Sequence, residues 1–166
     1  MGFIRRFLAV VVASVSSVLL VGGTAAGQRG GELDGFEVTH VPAGVGELVT
    51  DFPYEWGDVR FTQRAWERQV ESGGHQVDLQ VFVLRGQKLS SPVALRDFLA
   101  DYHEHDPGRW QLADFRHDDG NGFIGDTEAF WLVEPGVAVE VRIAPNRFDA
   151  DELSRTARGV RAVGRV

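Results

Sequence analysis

Residues 103–106 read His-Glu-His-Asp. Two imidazoles one residue apart, flanked by carboxylates, are side chains that hold a transition metal. On a strand His103 and His105 would share a face. On a helix they diverge, at about 100° per residue. The surrounding pattern places them at the end of a helix, where a histidine also meets the helix dipole favourably. The helix-end reading therefore carries more weight, and convergence requires the helix to stop by Tyr102. A second cluster, residues 117–122, reads His-Asp-Asp-Gly-Asn-Gly. Asp119 and Asn121 occupy alternate positions, as calcium loops require, and Asp126 with Glu128 would close a looser site. Phe123 stands where a third ligand belongs, and Asp, Asn and Gly are also what tight turns select. The turn reading stands ahead there.

Tyr54 and Trp56 lie among Asp51, Glu55 and Asp58. A loop with two aromatics and several acids grips a sugar or a peptide. The competing reading is that both rings pack onto a sheet. Nucleophilic catalysis has little to build on. There is no cysteine, and no Gly-x-Ser-x-Gly elbow surrounds Ser72, Ser90, Ser91 or Ser154. No glycine-rich loop cradles a phosphate, and no cofactor is expected. A carboxylate hydrolase is defined by proximity in space. It would require several of His103, His117, Asp118 and Asp126 to meet in one pocket.

Residues 36–41 alternate and end at Pro42, which predicts a strand. Residues 42–56 read as a loop or short helical turn. Residues 59–67 and 75–85 predict a hairpin around Gly73-Gly74. In the second strand Val77, Leu79, Val81 and Val83 line one face. Ser90-Ser91-Pro92 caps a helix whose stripe is Leu95, Phe98, Leu99 and Tyr102. A second hairpin folds around Glu134-Pro135-Gly136. Asp149 and Glu152 open a last helix with Leu153, Ala157, Val160 and Val163 inward and Arg155, Arg158, Arg161 and Arg165 outward. The expectation is an α+β domain: an antiparallel sheet of two hairpins plus an N-terminal strand, packed by two amphipathic helices.

The chain opens with Arg5 and Arg6, and residues 7–23 carry no charge before the small residues Thr24-Ala25-Ala26. A positive start, an apolar stretch and a small-residue exit form a secretory signal peptide, with cleavage expected near Ala26. The competing reading is a retained anchor. Residues 7–23 include Ser14, Ser16 and Ser17 and fall short of the about 20 apolar residues of a spanning helix. Residues 1–26 are thus read as signal, 27–35 as a flexible glycine-rich linker, and 36–166 as one extracytoplasmic domain. The whole chain carries a formal charge of −7, with 24 acids against 17 bases. Losing Arg5 and Arg6 makes it two units more negative, which argues against nucleic acid or an anionic surface as target. A membrane enters only through an uncleaved N-terminal segment.

Four stretches carry a resemblance: residues 77–86, 95–104, 129–139 and 152–161. Together they are similar to small secreted proteins of high-GC Gram-positive bacteria to which no activity is assigned. The resemblance implies a secreted envelope protein and supplies no catalytic residues. The expected function is a non-enzymatic domain that binds an envelope component, a small ligand or a protein. The alternatives are a small secreted hydrolase using carboxylates and a membrane-anchored structural module.

Overall fold

A computed structural model describes residues 30–164. The signal-peptide assignment, the start of the linker and Arg165 lie outside the described residues. Ten strands and two helices follow in order: β1 (Gly31–Leu33), β2 (Phe36–Val38), β3 (Leu48–Trp56), β4 (Val59–Gln69), β5 (His75–Arg85), α1 (Pro92–Tyr102), β6 (Ala113–His117), β7 (Gly120–Ile124), β8 (Glu128–Glu134), β9 (Val137–Ile143), α2 (Ala150–Arg158) and β10 (Val160–Ala162). Seven strands form one antiparallel sheet in the order β3-β4-β5-β9-β8-β7-β6, and three form a small sheet, β1-β2-β10.

This overturns the α+β expectation. The described residues are sheet-dominated, with two sheets rather than one and only two short helices among them. The missing strands are those whose alternation is weakest. β3 is an edge strand with most of its residues exposed, interrupted by Pro53, so it reads as a loop. It is nonetheless tied to β4 by a two-residue turn in which Gly57 and Asp58 both adopt positive φ, 57° and 63°. That is the primed turn whose twist suits a hairpin. β6 and β7 are short, and their hairpin turns at Asp118-Asp119.

β5 is buried on both faces, which explains its nearly continuous apolar run. Leu79, Val81 and Val83 point into one core with Trp66, Trp131, Leu153 of α2 and Phe36 and Val38 of the small sheet. Phe82 and Leu84 point into the other with Phe61, Phe130 and Leu95 and Leu99 of α1. The large sheet is thus sandwiched between α1 on one side and α2 with the small sheet on the other. Among the described residues no helix is long and apolar enough to cross a membrane.

Two further expectations change. Residues 30–35 do not form an open linker, because β1 pairs with β2 and is held from beneath. The Arg64 guanidinium, 4% exposed, donates to the carbonyls of Gly30, Gly31 and Glu32 and forks onto both Asp51 oxygens at 2.7 Å. The last helix does not run on to Val163. It ends at Gly159, where a Cβ would lie 2.7 Å from the His40 Cβ. That close approach lets Thr39 donate its N–H and its hydroxyl to the Gly159 carbonyl, both at 2.7 Å. Val160–Ala162 then pairs with Phe36–Val38. The arginine periodicity continues past the helix only in sequence.

Candidate functional site

The residues singled out by type converge more than their separation in sequence suggests. Tyr54 and Trp56 stand on β3, not in a loop, and share the face that α1 covers. The Trp56 ring lies edge-on to Phe98 and Tyr102, with centroids 5.3 and 5.2 Å away. Tyr54 stacks on Phe61 at 4.8 Å and its hydroxyl lies 2.6 Å from that of Tyr102. Burial, helped by the adjacent Tyr102 hydroxyl, raises the Tyr54 phenol far above its ordinary range. It is a neutral hydrogen-bonding group and not a base.

α1 stops at Tyr102, and the way it stops brings the two histidines together. The His105 N–H reaches back to the Ala100 carbonyl at 2.8 Å and the Glu104 N–H to that of Asp101 at 3.2 Å. Glu104 takes the left-handed conformation, φ 54°. These are the bonds of a Schellman cap, with glutamate where glycine is usual. The turn swings His105 back until its ring centroid lies 5.7 Å from that of His103.

Only His103 is committed by hydrogen bonds; the buried Nε2 of His105 has no partner among the described residues. Arg142 Nη1 donates to His103 Nδ1 at 3.2 Å, so the His103 proton sits on Nε2 and is donated to Glu140 Oε1 at 2.7 Å. Glu140 stands on β9 and is fully buried. Its other oxygen has no partner among the described residues. His105 packs against Trp110, with centroids 4.5 Å apart. The Trp110 indole N–H donates to Glu128 Oε1 at 2.7 Å, and the Thr127 hydroxyl takes Oε2 at 2.7 Å. The result is one polar and aromatic seam from Trp56 on the sheet edge, beneath the end of α1, to Glu128. It opens there into a cleft of about 440 Å³ lined by His105, Arg109, Trp110, Asp126 and Glu128.

The proposed metal ligands do not form one set. His103 is consumed by Glu140 and Arg142. His105 and Asp126 line the same cleft. Asp119 and Asn121 lie elsewhere, at the β6–β7 turn, where Asp119 Oδ2 accepts the Ala162 N–H at 2.8 Å and fastens β10. Among the described residues no three His, Asp or Glu side chains group closely enough to hold a metal ion.

The hydrolase set also separates. His117 lies on the opposite face of the sheet, stacked on Trp131 at 4.3 Å. Its Nδ1 accepts the Asp119 N–H at 3.0 Å, and its Nε2 therefore donates to the Ala157 carbonyl at 3.2 Å. Burial holds this imidazole below its ordinary range, so it is a neutral strut. Asp118 is exposed beside Arg161.

Sequence reasoning missed Glu140 and Arg142, and read Tyr102 only as part of the apolar stripe of α1. A signal was present: residues 137–143 are apolar except for Glu140 and Arg142, which strand periodicity places on one face. Leu48 and Phe52 were also missed. Together with Trp56 they form a row along one face of β3, 46%, 39% and 37% exposed. No protein-family model, no curated protein and no solved structure matches this chain.

Proposed function

We propose that this chain is an exported binding domain of the bacterial envelope or the surrounding medium, with no reaction of its own. The observation that carries the binding reading is the row Leu48, Phe52 and Trp56, three large apolar side chains exposed together on one edge strand. Water-facing apolar rows of this kind mark interaction surfaces. Most charged groups of the neighbouring seam support the same reading, because they are engaged in holding the fold. His103, Glu140 and Arg142 hold α1 to the sheet, and Glu128 holds Trp110. The N-terminal pattern and the resemblance to secreted proteins support export.

Two measurements test this. N-terminal sequencing of protein recovered from the medium is expected to begin near Gly27. Finding only the full-length chain in the membrane fraction would overturn free secretion in favour of an anchored module. A photo-crosslinking residue at Phe52 or Trp56 in producing cells is expected to give a discrete adduct. The same residue at Val93, 51% exposed on α1, is expected to give none. Equal labelling at both places would sink the binding reading.

A further inference from the structure

We propose that the free edge of β3 accepts an extended segment of a partner protein whose side chains alternate between apolar and basic, added as an eighth strand of the large sheet. This rests on the reading of the chain as a binding domain and names what it binds.

Among the described residues β3 pairs with β4 alone, in unbroken register from Leu48↔Glu67 to Trp56↔Val59. Its other side carries the outward-facing donors and acceptors of alternate residues along a nine-residue strand, the template that strand addition uses. Pro53 fixes which residues offer them. It has no N–H to give β4, so its position is one whose backbone faces outward. Val49, Asp51 and Glu55 share that phase. The edge thus presents three N–H groups and four carbonyls.

The two faces of β3 then dictate the partner's chemistry. Leu48, Phe52 and Trp56 project on the α1 side and remain partly uncovered. A neighbouring strand would set apolar side chains beside them. Asp51 and Glu55 project on the other side, both exposed. Asp51 is already shared with Arg64. Glu55 stands opposite Arg60 in the β3–β4 register with no hydrogen bond or ion pair to it among the described residues, so its carboxylate can take a cation from the open side of the ladder. Opposite charges so placed are favourable, and like charges are unfavourable. Alternation of side chains along a strand converts this into a sequence pattern, apolar then basic then apolar.

The same acids disfavour a second copy as occupant. An antiparallel pair of β3 strands centred on Pro53 would set Asp51 directly opposite Glu55 of the other copy, twice. It would also lose the bond that Pro53 cannot make. In that register the edge repels itself, while a strand with a cation opposite Glu55 is favoured, which is how a surface becomes selective.

The test uses the purified protein and a nine-residue peptide of alternating Val and Lys, followed by amide shifts in an NMR titration. The expected result is saturable movement of the Val49, Asp51 and Glu55 amides, with binding at least tenfold weaker when every Lys is Glu. N-methylation of alternate peptide residues is expected to abolish it on one edge of the peptide only. Glu55→Lys is expected to narrow or reverse the preference between the two peptides, with only a small loss of thermal stability from the like charge of Arg60 opposite. Equal binding of the Lys and Glu peptides, indifference to N-methylation, or a dimer whose formation buries the β3 amides would each overturn the proposal. An in-cell adduct at Trp56 with no peptide effect would sink strand addition and leave the binding reading standing. Loss of both would sink both.

Discussion

His103 and Glu140 form a hydrogen-bonded pair, Nε2 to Oε1 at 2.7 Å, that pins the end of α1 to the centre of the large sheet. The carboxylate is fully buried, and Arg142 closes the pair from the far side of the imidazole. Removing one member of a buried polar pair strands the other. Glu140→Leu is expected to cost about 3 kcal/mol in denaturant unfolding. Changing His103 to Leu in the same chain should recover part of that loss, because the buried donor stranded by the first change is then removed as well. A single variant as stable as the parent would contradict this account.

Glu104 occupies the left-handed cap of α1. A side chain there costs about 1 kcal/mol relative to glycine. Glu104→Gly is expected to raise stability by roughly 0.5–1 kcal/mol, since its exposed side chain has no hydrogen bond or ion pair among the described residues that offsets the strain. Melting temperature measures this, and a decrease would show that the carboxylate does more than cap.

His117 gives stability a pH dependence. Burial depresses its affinity for the proton in the folded chain, outweighing the opposite pull of Asp119. In the unfolded chain the same imidazole titrates near about 6.5. Below that pH the unfolded state binds a proton that the folded state refuses, so this contribution is intact at neutral pH and is lost as the pH falls. Unfolding at pH 7 and at about pH 5.5 should show the decline, and His117→Phe should flatten it while keeping the stack on Trp131. An unchanged slope in the variant would refute the assignment.

Arg64 joins the small sheet to the large one through five hydrogen bonds, to three carbonyls and to Asp51. Arg64→Ala leaves those carbonyls without their donor. Hydrogen bonds to charged groups contribute about 1.5–3 kcal/mol each, though not additively. The expected result is a loss of about 3 kcal/mol. Amide exchange at residues 31–33 should rise before the rest of the domain is affected. Uniform exchange across the domain would mean that β1 docks by other means.

The parts of this fold legible in sequence are those where one local rule acts alone. Ser91 accepts the Ala94 N–H, as its place before Pro92 predicts. The alternation of β5 is plain because Leu79, Val81 and Val83 meet one core and Phe82 and Leu84 another. β3 was hidden because an edge strand needs apolar residues on one side only, and Pro53 reads as a breaker unless the free edge is known. The end of α2 was hidden because Gly159 is required by His40, a distant neighbour that periodicity does not reveal. The site was half legible for the same reason. Tyr54, Trp56, His103 and His105 drew notice by type. Their links through Tyr102 and Glu140 depend on which strands lie beneath α1.

The pairing of β2 with β10 bears on how this domain reaches its folded state. Thr39 and Gly159 meet across 120 residues. Phe36 and Val38 are synthesised long before their partner strand. Until that strand is made, one side of β5 and β9 has no lid and those two side chains face water. The duration of that exposure is governed by how fast the intervening chain is delivered, since closing so long a loop is slow whatever the local propensities. Trimming residues 160–162 should therefore loosen residues 36–38.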